Sequence, residues 1–315
     1  MVNNFPYYVN NTNEVVILRK RKLECSIVGV GKGTDEKEAI KTSLSYLPME
    51  SLVTEDDVVA ITCNLVNTNP PDTAAVIGPE SLRGLIQYFK GKKAKRIIIC
   101  GGSGGSNTKE VLKSSSFDKI IEEEKAEFVD INFGPFTNLY LGGNLVRETK
   151  INCLIDEATV MVSFTQLKVH EEATMSGAIK NIALSWPPAE IHGYPKKNLG
   201  IHDDLHDFIY HMAKEIPIDL SIVSLTPAMV GTGPSKGAPV RFNTVLSSLD
   251  PVAIDTIGAR ILGFRPQAIN YLFRCIKEGI GQGNIENISV KGDTLINLEK
   301  EFSLLAYKKS FSIDE

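Results

Sequence analysis

No Cys-x-x-Cys pair occurs in the 315 residues, and the five cysteines (Cys25, Cys63, Cys100, Cys153, Cys275) are odd in number and scattered. That pattern speaks against a disulfide framework, a zinc ribbon or a ferredoxin-type site, so no iron–sulfur cluster is expected. Cys63, Cys100 and Cys153 lie in or beside apolar runs, where a thiol packs as a small hydrophobe. Long hydrophobic runs are missing as well: those at 96–101 and 158–165 are strand length, far short of the roughly 20 residues a membrane helix needs. The amino terminus is Asn-rich and lacks a basic start followed by an apolar core, which leaves the cytoplasm as the expected compartment. Basic residues form no dense block; 34 Lys and Arg stand against 38 Asp and Glu, net -4. Neither nucleic acid nor a membrane is therefore expected as a partner, while self-association stays open.

What is present is a chain 43% hydrophobic, enough to bury on the order of three quarters of its unfolded surface. After a loose polar arm at 1–14, short apolar segments alternate with helical patterns. Strands are expected at 25–30, 58–63, 96–100, 127–131, 159–164 and 219–224. Helices are expected at 34–47, 79–89, 108–125, 203–214, 251–262 and 269–277. Strands that are apolar throughout and separated by helices call for a parallel sheet covered on both faces. The expected fold is α/β, with a Rossmann-like, mostly parallel sheet in a first lobe (15–158) and a second α/β lobe (159–315) carrying the site. The stretch 168–188 mixes small, polar and aromatic residues without a clean period, as site-forming segments often do.

Two Gly-rich loops follow strands: Gly101-Gly102-Ser103-Gly104-Gly105 and Gly231-Thr232-Gly233-Pro234-Ser235-Lys236-Gly237. Backbone N–H groups there can converge on an anion, although each also serves as a plain turn. Neither is a Walker loop or a clean Gly-x-Gly-x-x-Gly. All five histidines (His170, His192, His202, His206, His211) fall within 42 residues. His202 and His206 have the i, i+4 spacing of helical zinc ligands, but Asp203 stands where those hydrolases carry Glu, and packing or capping explains His206 and His211 better. Gln166-Leu167-Lys168-Val169-His170 follows a strand end, where open parallel sheets bind ligands. Lys180, flanked by Ala178, Ile179, Ile182 and Ala183, is expected to be part-buried and therefore paired or chemically used, whereas Lys196 and Lys197 read as solvated surface lysines. Asp250 before Pro251 reads as a helix cap; Asp255, too far along for capping, is the stronger catalytic candidate.

Taken as an ordered set, Leu167-Lys168-Val169-His170, Met175-Ser176-Gly177-Ala178-Ile179-Lys180-Asn181, Gly231-x-Gly233-Pro234-x-x-Gly237 and Asp250-Pro251-Val252-Ala253-Ile254-Asp255 resemble the domain-of-unknown-function 362 family. Asn64 matches an Asn of that family's first motif. Thr62-Cys63 stand where the family tends to have Lys-Pro, and Ser224 where it tends to have Asp. Many members carry iron–sulfur modules, which this chain lacks. More distantly, His170 and Lys180 are similar in spacing to the His and the cofactor-bearing Lys of the nickel-pincer lactate racemase family. That resemblance would make Lys180 the anchor of a nickel-pincer-type cofactor and His170 a ligand or proton-transfer residue, with His192 or His202 as a partner on that or another divalent metal.

The expected function is an enzyme acting on a small anionic, carboxylate-type metabolite by proton or hydride transfer, isomerase- or oxidoreductase-like and metal- or pincer-assisted. Lys168, His170, Lys180 and Asp255 are the catalytic candidates. Asn64, Gly101, Gly102, Gly104, Gly105, Asn181, Gly231 and Gly233 are the ligand-binding candidates, and His170, His192 and His202 the metal candidates. A non-catalytic binder of a small ligand or metal in the same cleft is the rival.

Overall fold

The computed structural model describes residues 18–314, so the expected arm at 1–14 lies outside the described residues. The first half runs β1 (Ile27–Lys32), α1 (Glu36–Leu44), α2 (Met49–Leu52), β2 (Val58–Cys63), α3 (Pro79–Gly91) and β3 (Arg96–Gly101). It continues through α4 (Thr108–Ser114), α5 (Phe117–Glu123), β4 (Glu127–Asp130), β5 (Phe136–Tyr140), β6 (Glu148–Asn152) and α6 (Leu154–Glu157). The second half opens with β7 (Val160–His170), β8 (Thr174–Ser176), α7 (Ala178–Ser185), α8 (Ala189–His192) and α9 (Leu205–Glu215). Then come β9 (Leu220–Val230), β10 (Ala238–Val240), β11 (Thr244–Ser248), α10 (Pro251–Ile261), α11 (Asn270–Lys277), β12 (Ser289–Lys291) and α12 (Leu295–Tyr307).

Ten strands form one sheet along the path β12-β1-β11-β9-β7-β2-β3-β4, with β8 added to β7 and β10 to β9. The expected α/β class and mostly parallel sheet hold: on the main path only β11 runs against its neighbours. The expected division at 158/159 is not a break in this sheet. β7 pairs with β2 across it, and β1 from the first half is inserted between β11 and β12 from the second. Long β7 and β9, buried over nearly their whole length, could not shield both faces within a separate lobe.

Side chains alternate across the sheet and divide the core in two. Val59 and Ile61 of β2 and Val160, Val162 and Phe164 of β7 join one cluster with the α1 and α3 residues Ile40, Leu44, Leu82 and Leu85. Ala60 of β2 and Met161 of β7 face the other way, toward Ile179 and Ile182 of α7, Phe208 and Ile209 of α9, and Ile254 and Ile257 of α10. Trp186, the chain's one tryptophan, is fully buried, and its indole N–H donates to Thr62 Oγ1 at 3.1 Å, fixing the end of α7 against β2.

Successive connections β2→β3→β4 step toward one edge, whereas β7→β9 steps toward the other. The adjacent pair β2 and β7 is thus a topological switch point, and the crevice outside its carboxyl ends is where such sheets admit ligands.

Candidate active site: a lysine-lined cavity at the switch point

A cavity of about 430 Å³ opens at that crevice. Asn64 to Asn67, directly after β2, form one wall, and Gly102, Gly104 and Gly105, after β3, form another. Thr165 and Lys168 come from β7, Ser176 from β8, and Lys180, Asn181, Leu184 and Ser185 from α7. Lys196, Lys197 and His202 arrive on the connection between α8 and α9, and Pro234 and Ser235 on the loop after β9. Thr165 and Lys168 are three apart and would face opposite sides of a regular strand. The register of β7 on β9 slips between Gln166 and Lys168, and this irregularity turns both toward the cavity. Ser176 lies directly opposite Lys168 in the β7–β8 ladder.

Four lysines and a histidine line this space, and no Asp or Glu does among the described residues. Lys168 Nζ donates to Ala75 O at 2.8 Å. Lys196 Nζ reaches three carbonyls, Ser185 O at 3.0 Å, Leu184 O at 3.3 Å and Gly102 O at 3.4 Å. Lys180, half-buried on the first turn of α7, has no hydrogen-bond or ion-pair partner at Nζ among the described residues. Burial lowers all three: Lys168 to about 7, aided by the neighbouring charge of Lys180, Lys196 to about 7, and Lys180 to about 8. Asn64 is buried; its amide donates to Ala75 O at 2.8 Å, yet its Oδ1 has no partner. A buried orphan acceptor at a cavity wall is a vacancy for a donor. Asn181 is committed to structure, donating to Thr62 O and Ser163 Oγ.

His170 is buried beside this space without lining it. Its Nδ1 accepts from Glu172 N and Ala173 N, both at 3.1 Å, which places the ring proton on Nε2. Burial, reinforced by Lys180 and Lys168, pushes it down to about 2, so the ring is neutral. That neutrality does not suit the proton-exchanging role expected of it near neutral pH; His170 is a neutral N–H donor. Glu172 ties the rim together, taking His202 Nδ1 at 2.5 Å and Lys197 at 3.4 Å.

Several expected residues are placed elsewhere. Asp255 does not line the cavity. It is buried, and its carboxylate accepts Ala178 N at 2.7 Å and Ile179 N at 3.1 Å, capping α7 from α10 rather than its own helix. Gly101 ends β3 beneath the loop, packed on Leu65 and the Cys63 carbonyl. Gly231 and Gly233 do not line the cavity; a Cβ on Gly233 would lie 1.9 Å from Val169 O, so this glycine is required for the loop to close on β7. The first loop's N–H groups are partly spent: Gly105 N and Ser106 N turn to Ser103 Oγ. On its far side lies a second cavity of about 490 Å³, between Ser106, Lys109, Asp130, Phe133 and Tyr194. Asp250 caps α10 as expected, accepting Val252 N and Ala253 N.

The metal expectation fails on geometry. His192 is buried and bonded through Nε2 to Thr149 Oγ1 and through Nδ1 to Asn198 O. His202 precedes α9, which Asp204 caps, so His202 and His206 share no helical face. No group of three His, Cys, Asp or Glu is placed to hold a metal among the described residues. The donor set therefore does not fit a nickel-type centre held by His170, His192 and His202. Lys196 was misread in the sequence: it is 4% exposed. Its local sequence, Tyr194-Pro195-Lys196-Lys197-Asn198, reads as a turn, and only the fold brings it under Gly102.

Residues 59–260 match the family described as Domain of unknown function (DUF362). The chain belongs to the DUF362 family. In this member Thr62, where the family tends to have Lys, anchors Trp186, and Ser224 accepts Thr226 N at 3.1 Å within β9, away from the cavity. A relative is the "Thylakoid-associated protein sll1697" of Synechocystis sp. (strain ATCC 27184 / PCC 6803 / Kazusa), 23% identical over 222 residues, or 70% of this chain and 68% of its own. Among solved structures, the lactate racemase apoprotein from Thermoanaerobacterium thermosaccharolyticum is matched over 74% of this chain and 54% of its own, at 16% identity and a TM-score of 0.40. The DUF362 chain thus spans about half that racemase's length, and at this likeness no residue role passes between them. No helix among the described residues is long and apolar enough to cross a membrane.

Proposed function

We propose that this DUF362 protein is an enzyme that holds a small carboxylate-type anion in the lysine cavity and moves a proton on it. The observation that carries the reading is the composition of the cavity wall: Lys168, Lys180 and Lys196 together, with no carboxylate lining it among the described residues. Burying three like charges is costly unless a counter-charge arrives, so the cavity favours an anion by relieving their desolvation and mutual repulsion. At the rim, Glu172 holds both Lys197 and His202. Proton transfer is favoured because the lining amines titrate near neutral pH, where a general acid or base works best. Lys180, without a hydrogen-bond or ion-pair partner among the described residues, is the group that contacts substrate; His170 supplies a fixed neutral N–H behind it.

Incubation with a panel of 2-hydroxy and 2-oxo acids in deuterated water, followed by proton NMR, tests the reading. Exchange of a carbon-bound hydrogen on one acid, lost in Lys180→Met, is the expected result. Saturable binding with no exchange would instead identify a binder, and neither binding nor exchange would refute the anion site.

A further inference from the structure

Lys180 has a capability that holding an anion does not use. Lys168 is tied to Ala75 O and Lys196 to three carbonyls, but Lys180 Nζ ends in the cavity without a partner among the described residues. It stands on the first turn of α7, where the helix's positive end disfavours an ammonium, while the charge of Glu172 works the other way. A neutral fraction of this amine is therefore present near neutral pH and grows above it, since burial brings it to about 8. An amine in that state is a nucleophile, and its usual partner in covalent catalysis is the electrophilic carbon of a carbonyl group. The wall after β2 offers an independent feature: the buried Asn64 Oδ1, unpartnered among the described residues, which would accept a hydrogen bond from a ligand that donates one.

Resting on the reading that the cavity takes a small carboxylate, we propose that Lys180 forms an imine with a 2-oxo acid bound there. The carboxylate neutralises Lys168 and sets the adjacent carbonyl carbon toward Nζ. The Nζ lone pair forms the C–N bond as the carbonyl π electrons move to oxygen, and a proton passes from nitrogen to that oxygen. The resulting carbinolamine hydroxyl is the donor that Asn64 Oδ1 lacks. Loss of that hydroxyl as water, with the remaining N–H proton accounting for its second hydrogen, leaves the C=N bond. Amine and ketone thus give imine and water, with no oxidant or reductant consumed.

Trapping tests this directly. The full-length protein is incubated with pyruvate and sodium cyanoborohydride, which reduces an imine to a stable secondary amine, and analysed by intact mass and peptide mapping. The expected result is one reduced pyruvate adduct per chain, on Lys180, suppressed by excess oxalate and absent in Lys180→Arg, which keeps the charge without the nucleophile. No adduct at Lys180, or labelling no greater there than at an exposed lysine such as Lys93, overturns the proposal. A parallel oxalate titration separates the two readings: oxalate binding without trapping overturns the imine alone, whereas failure of both overturns the anion site as well. A thermal melt of Lys180→Arg matching wild type assigns loss of the adduct to chemistry; wild-type trapping is decisive whatever that variant does.

Discussion

Lys168, Lys180 and Lys196 share one cavity but are held differently, and substitution should separate them. Lys180→Met removes an ammonium with no hydrogen-bond or ion-pair partner among the described residues, so stability should change by less than about 1 kcal/mol or rise, because a part-buried charge is lost. Anion binding should nevertheless weaken, with less proton uptake. Lys196→Met leaves the carbonyls of Gly102, Leu184 and Ser185 without their donor, and each buried unsatisfied acceptor costs about 1–3 kcal/mol. That variant should be visibly destabilised in thermal or urea unfolding. Equal melting losses for both variants would mean that Lys180 is structural. His170→Ala falls on the Lys196 side: it strips the acceptor from Glu172 N and Ala173 N, so its unfolding midpoint should fall.

At the scale of elements, the site depends on how β7 ends and how α7 begins. Gly233 lets the loop after β9 lie on the Val169 carbonyl. Gly233→Ala should cost about 1–3 kcal/mol or more through overpacking, and should weaken oxalate binding because Pro234 and Ser235 line the cavity. Asp255→Ala should cost about 1–2 kcal/mol as a lost helix cap, with loosened placement of Lys180 two residues further on; circular dichroism melts and titration check both. Much of this was legible in the sequence. The apolar strands at 58–63 and 96–100 follow from pattern, as does a strand beginning near 159, although β7 runs on through Lys168 to His170 rather than ending at 164; Asp250-Pro251 marks a helix start. The unread parts have physical causes. Helix α7 is eight residues, buried nearly all round, so it shows no period and was absorbed into an irregular stretch. The β5–β6 hairpin is polar on its open face. Asp255 looked catalytic because its partner is the N-terminus of another helix, 76 residues away in sequence. Lys196 is likewise defined by contacts across 94 residues, which no local window contains.

For the whole molecule, the cavity lysines link stability and binding to pH. Each has a folded pKa below its ordinary 10.5, so the unfolded chain binds more protons between about 7 and 10.5. Their contribution to stability is therefore present above 10.5 and lost as pH falls through about 8 and 7. Asp255 acts in the other direction at lower pH. Burial raises it to about 7 from 3.8, so its contribution is present below 3.8 and lost as pH rises through 7. Lys180→Met and Lys168→Met should each flatten the alkaline rise in urea-unfolding free energy. Ligand affinity should have the opposite slope, strongest below about 7 and weakening as pH climbs past 8, because a bound anion restores the lysine protons.

The central claim, that these three lysines form an anion site, is tested most directly by calorimetric titration of the wild-type protein with oxalate near pH 8. Two buffers of different ionisation enthalpy are needed. Oxalate carries no titrating proton there, so any proton taken up on binding comes to the protein. The account predicts saturable binding with net proton uptake, reduced in Lys180→Met; binding without proton uptake, or no binding in either buffer, would contradict it.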